Sequence, residues 1–189
     1  MKVIVEADGG SRGNPGPAGY GAVVLTADRA TVLGERKQAI GLATNNVAEY
    51  RGLIAGLTEA AELGATEVAV SMDSKLVVEQ MAGRWRVKHP DLIELNREAR
   101  ALAARFEHIA FNWIPRERNK HADRLANEAM DAAGTTMRAP SAPEEESGSQ
   151  HAAVVDTDPP GESAAKAAAL TSPGWTGATG DPTRMLLLR

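Results

Sequence analysis

Four carboxylates in the first two-thirds of the chain stand where side chains can do chemistry: Asp8, Glu49, Asp73 and Asp123. Asp8 closes a strand-like run begun by Val3, Ile4 and Val5. It is followed by GGSRGNPGPAGYG, a glycine-rich loop that can approach a ligand closely. Glu49 lies in TNNVAEY, Asp73 in SMDSK and Asp123 in NKHADRLANEAM. Each has a local explanation: Asp8 can form an Asx-turn, and Asn46 with Glu49 has the spacing of a capping box. Asp73 can cap the helix after it, and Asp123 can meet the dipole of a helix first turn. What the local explanations leave out is convergence, because two acids end strands and two begin helices that pack over the same edge. Pooled carboxylates repel one another unless cations neutralise them. Hard oxygen donors in this number suit Mg²⁺, with Mn²⁺ as a substitute, and not zinc. Two such ions are an arrangement for phosphodiester hydrolysis, one activating water and the other stabilising the leaving oxygen. The residues alone point to a two-metal phosphoryl-transfer site.

The elements that must position these acids follow from periodicity. Strands are expected over about 2–8, 19–27 and 31–40 as an antiparallel meander, with Asp28 and Arg29 in a turn. A helix is expected over 46–63, with Leu53, Ile54, Leu57, Ala60 and Ala61 on its buried face and Gly64 as its stop. A strand over 67–72, a short helix over 74–82, the loop GRWRVKHP and a helix over 91–105 come next. A strand over 108–114 and a helix over 119–133 complete the pattern. The order βββαβααβα implies an α/β fold whose later strands are parallel, with helices on both faces. Ligand sites in such sheets lie beyond the carboxyl ends of the strands, where Asp8 is expected.

Composition bounds the rest. The chain has 189 residues and no cysteine, which excludes disulfides, thiolate zinc sites and a cysteine nucleophile. No apolar run reaches the roughly 18–20 residues that span a bilayer, and no signal pattern opens the chain, so a cytoplasmic protein without a membrane partner is expected. The net charge is −4, with 17 Lys+Arg against 18 Asp+Glu in residues 1–134. If several of those acids surround cations, the remaining surface is net basic and compatible with a phosphate backbone. After Gly134 the sequence turns rich in Ala, Ser, Thr, Pro, Gly and acids. A disordered linker is expected over 135–183.

Taken together, DGGSRGNPGPAGYG, TNNVAEY, MDSKLVVEQ and IPRERNKHADRLANEA resemble type 1 ribonuclease H, in the family's order over residues 1–134. The likeness is to the compact prokaryotic form, since the basic protrusion of some members is replaced by GRWRVKHPDL. The resemblance implies a ribonuclease H-like five-stranded mixed sheet, three antiparallel strands and then parallel ones. It also implies endonucleolytic hydrolysis of the RNA strand of RNA–DNA hybrids, leaving 5′-phosphate and 3′-hydroxyl ends. Asp8, Glu49, Asp73 and Asp123 match the family's metal-binding acids, with Asp8 shared by two Mg²⁺ ions and Glu49 near the 2′-hydroxyl that distinguishes RNA. Gly10, Ser11, Asn14 and Asn45 match minor-groove contacts, and Thr44 and Asn46 match positions that touch the DNA strand.

Many members carry a mobile histidine before the last acid. Here the loop is shorter, and His121 reads as a solvated first-turn residue. Arg116 or Arg118 can supply a positive charge at the leaving phosphate instead, and Arg118 is the first choice. Lys75 is placed to touch phosphate, and Arg84, Trp85, Arg86 and Lys88 set three cations around an aromatic suited to the DNA backbone. The same four also fit a half-buried tryptophan with solvated neighbours. His89, His108 and His151 show no ligand spacing. The final RMLLLR resembles the first strand of a histidine phosphatase without its histidine, so residues 184–189 are expected to open a C-terminal phosphatase domain in a bifunctional protein. A monomer is expected. Two other readings stay open: a non-catalytic hybrid-binding module, and another nuclease of the same superfold.

Overall fold

β1 (Lys2–Ser11) is the middle of the sheet, and every functional element is referred to it. The computed structural model describes residues 1–136. After β1 come β2 (Gly16–Thr26), β3 (Val32–Ala43), α1 (Asn45–Glu62), β4 (Glu67–Met72), α2 (Lys75–Met81) and α3 (Pro90–Ala103). β5 (His108–Trp113), a 3₁₀ turn (Arg116–Arg118) and α4 (Lys120–Thr136) close the described chain. The five strands lie in the order β3-β2-β1-β4-β5. β1, β2 and β3 pair antiparallel, while β4 pairs parallel with both β1 and β5. The expected five-stranded mixed sheet with helices on both faces is what the chain forms.

Alternation along β1 assigns its faces. Val3, Val5 and Ala7 join Val24, Tyr50, Leu53, Leu57, Val70, Val77, Leu95 and Ala99 in the main core. Ile4 lies on the other face, against Val23, Leu25 and Leu125 of α4. Asp8 belongs to this second set by register. Leu53, Ile54, Leu57 and Ala60 are buried as the helical spacing requires, and Ala61 packs partly buried against the same core.

Two expectations change. β1 continues through Gly9, Gly10 and Ser11, which pair with Tyr20, Gly19 and Ala18, so the glycine stretch is mostly strand and only residues 12–15 turn. The cause is packing: a Cβ on Gly9 would overlap the Ala48 carbonyl carbon and the Glu49 amide nitrogen. The glycine admits the first turns of α1 onto the sheet. In addition, α4 runs to Thr136, past the compositional break at Gly134. The expected linker from residue 137 onward and the phosphatase-like strand 184–189 lie outside the described residues. Among the described residues, no helix is long and apolar enough to cross a membrane.

Candidate active site

The four carboxylates line one cavity of about 250 Å³, together with Gly10, Ser11, Arg12, Asn45, Arg116 and Asn127. Asp8 arrives on β1, 5% exposed, its Oδ1 accepting the Gly9 N–H at 2.9 Å. Glu49 arrives from the second turn of α1. Asp73 follows the end of β4, and Asp123 stands in the first turn of α4. Among the described residues no three acidic or histidine side chains form a closed cation-binding group.

The two helix-capping explanations, for Glu49 and for Asp73, do not fit the geometry, while Asp123 does stand in the first turn of α4. The N-cap of α1 is Thr44, whose hydroxyl accepts from Val47 N at 3.4 Å, so Asn46 and Glu49 form no capping box. Glu49 takes one weak bond from Asn45 Nδ2 (3.4 Å), and its Oε2 is buried without a partner. The N-cap of α2 is Ser74, and Asp73 instead accepts from Asn119 Nδ2 at 2.6 Å. Asp123 is held by Arg116 at 2.5 Å and by Asn127 at 3.2 Å.

Burial and mutual repulsion load this site with strain that a cation would relieve. Burial, then the Asp73 charge and more weakly that of Asp123, pushes the Asp8 carboxyl up to about 7, against the Gly9 N–H and Arg116. Burial, followed by Asp8 and Asp73, raises Glu49 well above the usual carboxylate range, with Asn45 and Arg116 opposing. An orphaned carboxylate oxygen among three further acids is a donor set for hard divalent ions.

Arg116, not Arg118, is the cation at these acids. Arg118, ranked first on sequence, does not line the cavity, whereas Arg116 does. In a 3₁₀ turn of three residues per turn, the side chain two positions on points about two-thirds of a turn away. His121 also turns away, its Nε2 lying 2.5 Å from Glu35 Oε1 on β3. Lys75 is exposed at the start of α2 and outside the acidic cavity.

Residues 6–129 match the family model described as "Reverse transcriptase-like". The chain is 64% identical over its full 189 residues to the bifunctional protein Rv2228c of Mycobacterium tuberculosis, of which it covers 47%. It thus spans about half the length of the curated relatives it matches. The solved N-terminal RNase H domain of Rv2228c, fused to maltose-binding protein, has a TM-score of 0.71 at 72% identity, covering 72% of this chain and 99% of that one. The chain belongs to the ribonuclease H family. LC11-RNase H1, solved in complex with an RNA/DNA hybrid, has a TM-score of 0.65 at 43% identity, covering 69% of this chain and 98% of that one.

The other expected contact residues divide between two cavities. Gly10, Ser11 and Asn45 share the acidic one. Asn14, Thr44 and Asn46 line a second, of about 770 Å³, with Arg84, Trp85, Arg86 and Lys88. The β1–β2 turn and the N-terminus of α1 therefore form a ridge between an acidic and a basic hollow. The ridge is cross-braced, since Asn45 N donates to Asn14 Oδ1 (3.2 Å) and Ser11 Oγ donates to Ala43 O (2.8 Å). The basic loop is braced from within as well. Tyr50 Oη donates to Gln80 (2.7 Å), Asn96 donates to Tyr50 (3.0 Å), and Gln80 Nε2 reaches Arg86 O. Trp85 stays 48% exposed on that loop, and Arg84 is tied to Glu79.

Sequence reasoning missed Asn119. It is fully buried and sends its Nδ2 to Ala7 O (2.9 Å) as well as to Asp73, while its carbonyl accepts the Asp123 N–H (3.0 Å). One residue thus ties β1, the Asp73 side chain and the start of α4. The available signal was an asparagine just ahead of a helix whose first turn carries a candidate acid.

Proposed function

We propose that this ribonuclease H cleaves the RNA strand of RNA–DNA hybrids endonucleolytically, with Mg²⁺ bound by Asp8, Glu49, Asp73 and Asp123. The observation that carries the reading is the buried, unpartnered Glu49 Oε2 in a pocket that raises Asp8 to about 7. That arrangement is costly without a cation. The relative solved with an RNA/DNA hybrid and the relatives named RNase H support the substrate class. Two bound Mg²⁺ or Mn²⁺ ions would supply an activated water and charge neutralisation at the leaving oxygen, giving 5′-phosphate and 3′-hydroxyl ends.

The chain's own groups do the positioning. Asp8, at the centre of the sheet, anchors the carboxylate set, and Gly9 lets α1 bring Glu49 beside it. Asn119 fixes the Asp73 rotamer. Arg116 holds Asp123 and places a permanent cation where negative charge gathers on the leaving phosphate, the part first assigned to Arg118. The ridge enters the minor groove between the strands, where 2′-hydroxyls are read. The basic hollow takes the DNA backbone through Arg86 and Lys88, with Trp85 packed against the sugars. We also propose that residues 1–134 act as the catalytic domain of a bifunctional protein, as the name of the Mycobacterium relative and its greater length support.

Incubation with end-labelled hybrid, duplex DNA and duplex RNA, with and without Mg²⁺, tests the reading. Metal-dependent cutting of the RNA strand in the hybrid is expected, with 3′-hydroxyl ends. Binding without cleavage would replace it with a hybrid-binding module, and cutting of duplex DNA with another nuclease of the same fold.

A further inference from the structure

One cation on the wall of the acidic cavity serves none of its carboxylates. Arg12 opens the turn between β1 and β2, its N–H bonded to Pro17 O at 2.8 Å. Gly16 packs so closely on the Arg12 carbonyl that no side chain fits there, so the backbone carrying Arg12 is well fixed. Arg12 is among the residues that line the cavity with Asp8, Glu49, Asp73 and Asp123, and its guanidinium turns to Asp131 on α4. Arg116 is the arginine that bears on Asp8 and Glu49, and Arg12 contributes to neither.

The Arg12–Asp131 pair is built to be exchanged. Its two side chains are 51% and 64% exposed, and pairs of this kind contribute about 0–1 kcal/mol. A phosphodiester offers the planar guanidinium fork two acceptor oxygens and a full negative charge. Arg12 stands on the acidic side of the ridge, while Asn14, two residues on, faces the basic hollow. We propose that Arg12 clamps a phosphate of the RNA strand beside the scissile bond, leaving Asp131 when the hybrid binds. Asp131 then serves as a placeholder that keeps the guanidinium extended and away from the metal-binding acids. This rests on the reading of the cavity as a hybrid-cleaving site.

Steady-state cleavage of hybrid by the full chain across a salt series tests it. Arg12→Ala should raise KM about tenfold with kcat within about twofold, and should lower the slope of log KM against log salt by about one. Arg12→Lys should recover part of the loss. Asp131→Asn should lower KM, and only while Arg12 is present. A single neutral methylphosphonate in the RNA strand next to the cleavage site should abolish the Arg12→Ala penalty, whereas one in the DNA strand should not. An unchanged KM and salt slope in Arg12→Ala would overturn the clamp, as would a loss confined to kcat. A penalty that only a DNA-strand methylphosphonate removes would overturn the strand assignment. If the wild-type chain itself fails to cut hybrid, it is the underlying functional reading that falls.

Discussion

Asp8 illustrates how a residue is paired with its environment. Its carboxyl is held near 7 in the fold against 3.8 for the free group. Between these values the folded state holds a proton that the unfolded chain has released, so rising pH disfavours folding. The stabilisation is full below about pH 4 and gone once the pH passes about 7. Metal-free protein should therefore lose Tm between pH 4.5 and 7.5 relative to Asp8→Asn. The difference is on the order of 3 kcal/mol, or roughly 5–10 °C. Mg²⁺ at pH 7.5 should raise the wild-type Tm and leave the variant nearly unmoved. Thermal melts with and without chelator decide it, and equal pH dependence in both proteins would refute it. At this scale the four acids and their convergence on one cavity were legible from local pattern, although Asp8 stands three residues before the end of β1 and Glu49 in the second turn of α1. The choice of Arg116 over Arg118 was not, since a 3₁₀ turn assigns neighbouring arginines to different sides and periodicity does not announce such a turn. Asn119 was not either, because its bonds join residues 46 and 112 positions away in sequence.

At the scale of elements, the site depends on how near α1 and α4 come to the sheet. Gly9 leaves room for α1, Gly52 faces the Asp8 carbonyl where a Cβ would sit 2.7 Å from it, and Gly21 leaves room for α4 at Ala122 and Leu125. Gly9→Ala should push the first turns of α1 outward and carry Glu49 away from Asp8. The expected result is a destabilisation of about 1–3 kcal/mol by overpacking. Displacing a reacting group by about 1 Å costs on the order of 100-fold, so kcat should fall by about that much while KM stays close to wild type. Measured kcat near wild type would show that α1 is not positioned by this contact. Strand and helix identities were legible because periods of 2 and 3.6 differ clearly in this chain. The run DGGS read as loop because glycine signals turns more often than helix–sheet contact. The boundary between those uses is set by α1, some forty residues later, and is invisible locally.

Across the whole molecule, charge of opposite sign is separated into two hollows by a ridge made of the β1–β2 turn and the start of α1. On the proposed reading, a duplex whose minor groove straddles the ridge would lay one backbone over the carboxylates and the other over Arg86 and Lys88. On that reading, the division of charge reconciles a net charge of −4 with a polyanionic substrate. It also makes substrate length a diagnostic, because only a hybrid long enough to reach from the acids to the basic loop engages both hollows. The double substitution Arg86→Ala with Lys88→Ala should raise KM about tenfold on a long hybrid at physiological salt, with kcat little changed. On a hybrid truncated so that its DNA strand stops short of the loop, wild type and variant should have the same KM, already weakened. Initial-rate measurements on the two substrates separate the possibilities. A penalty equal on both lengths would mean that the loop acts through the fold, by way of Gln80 and Tyr50 beneath it, and not by gripping the DNA strand.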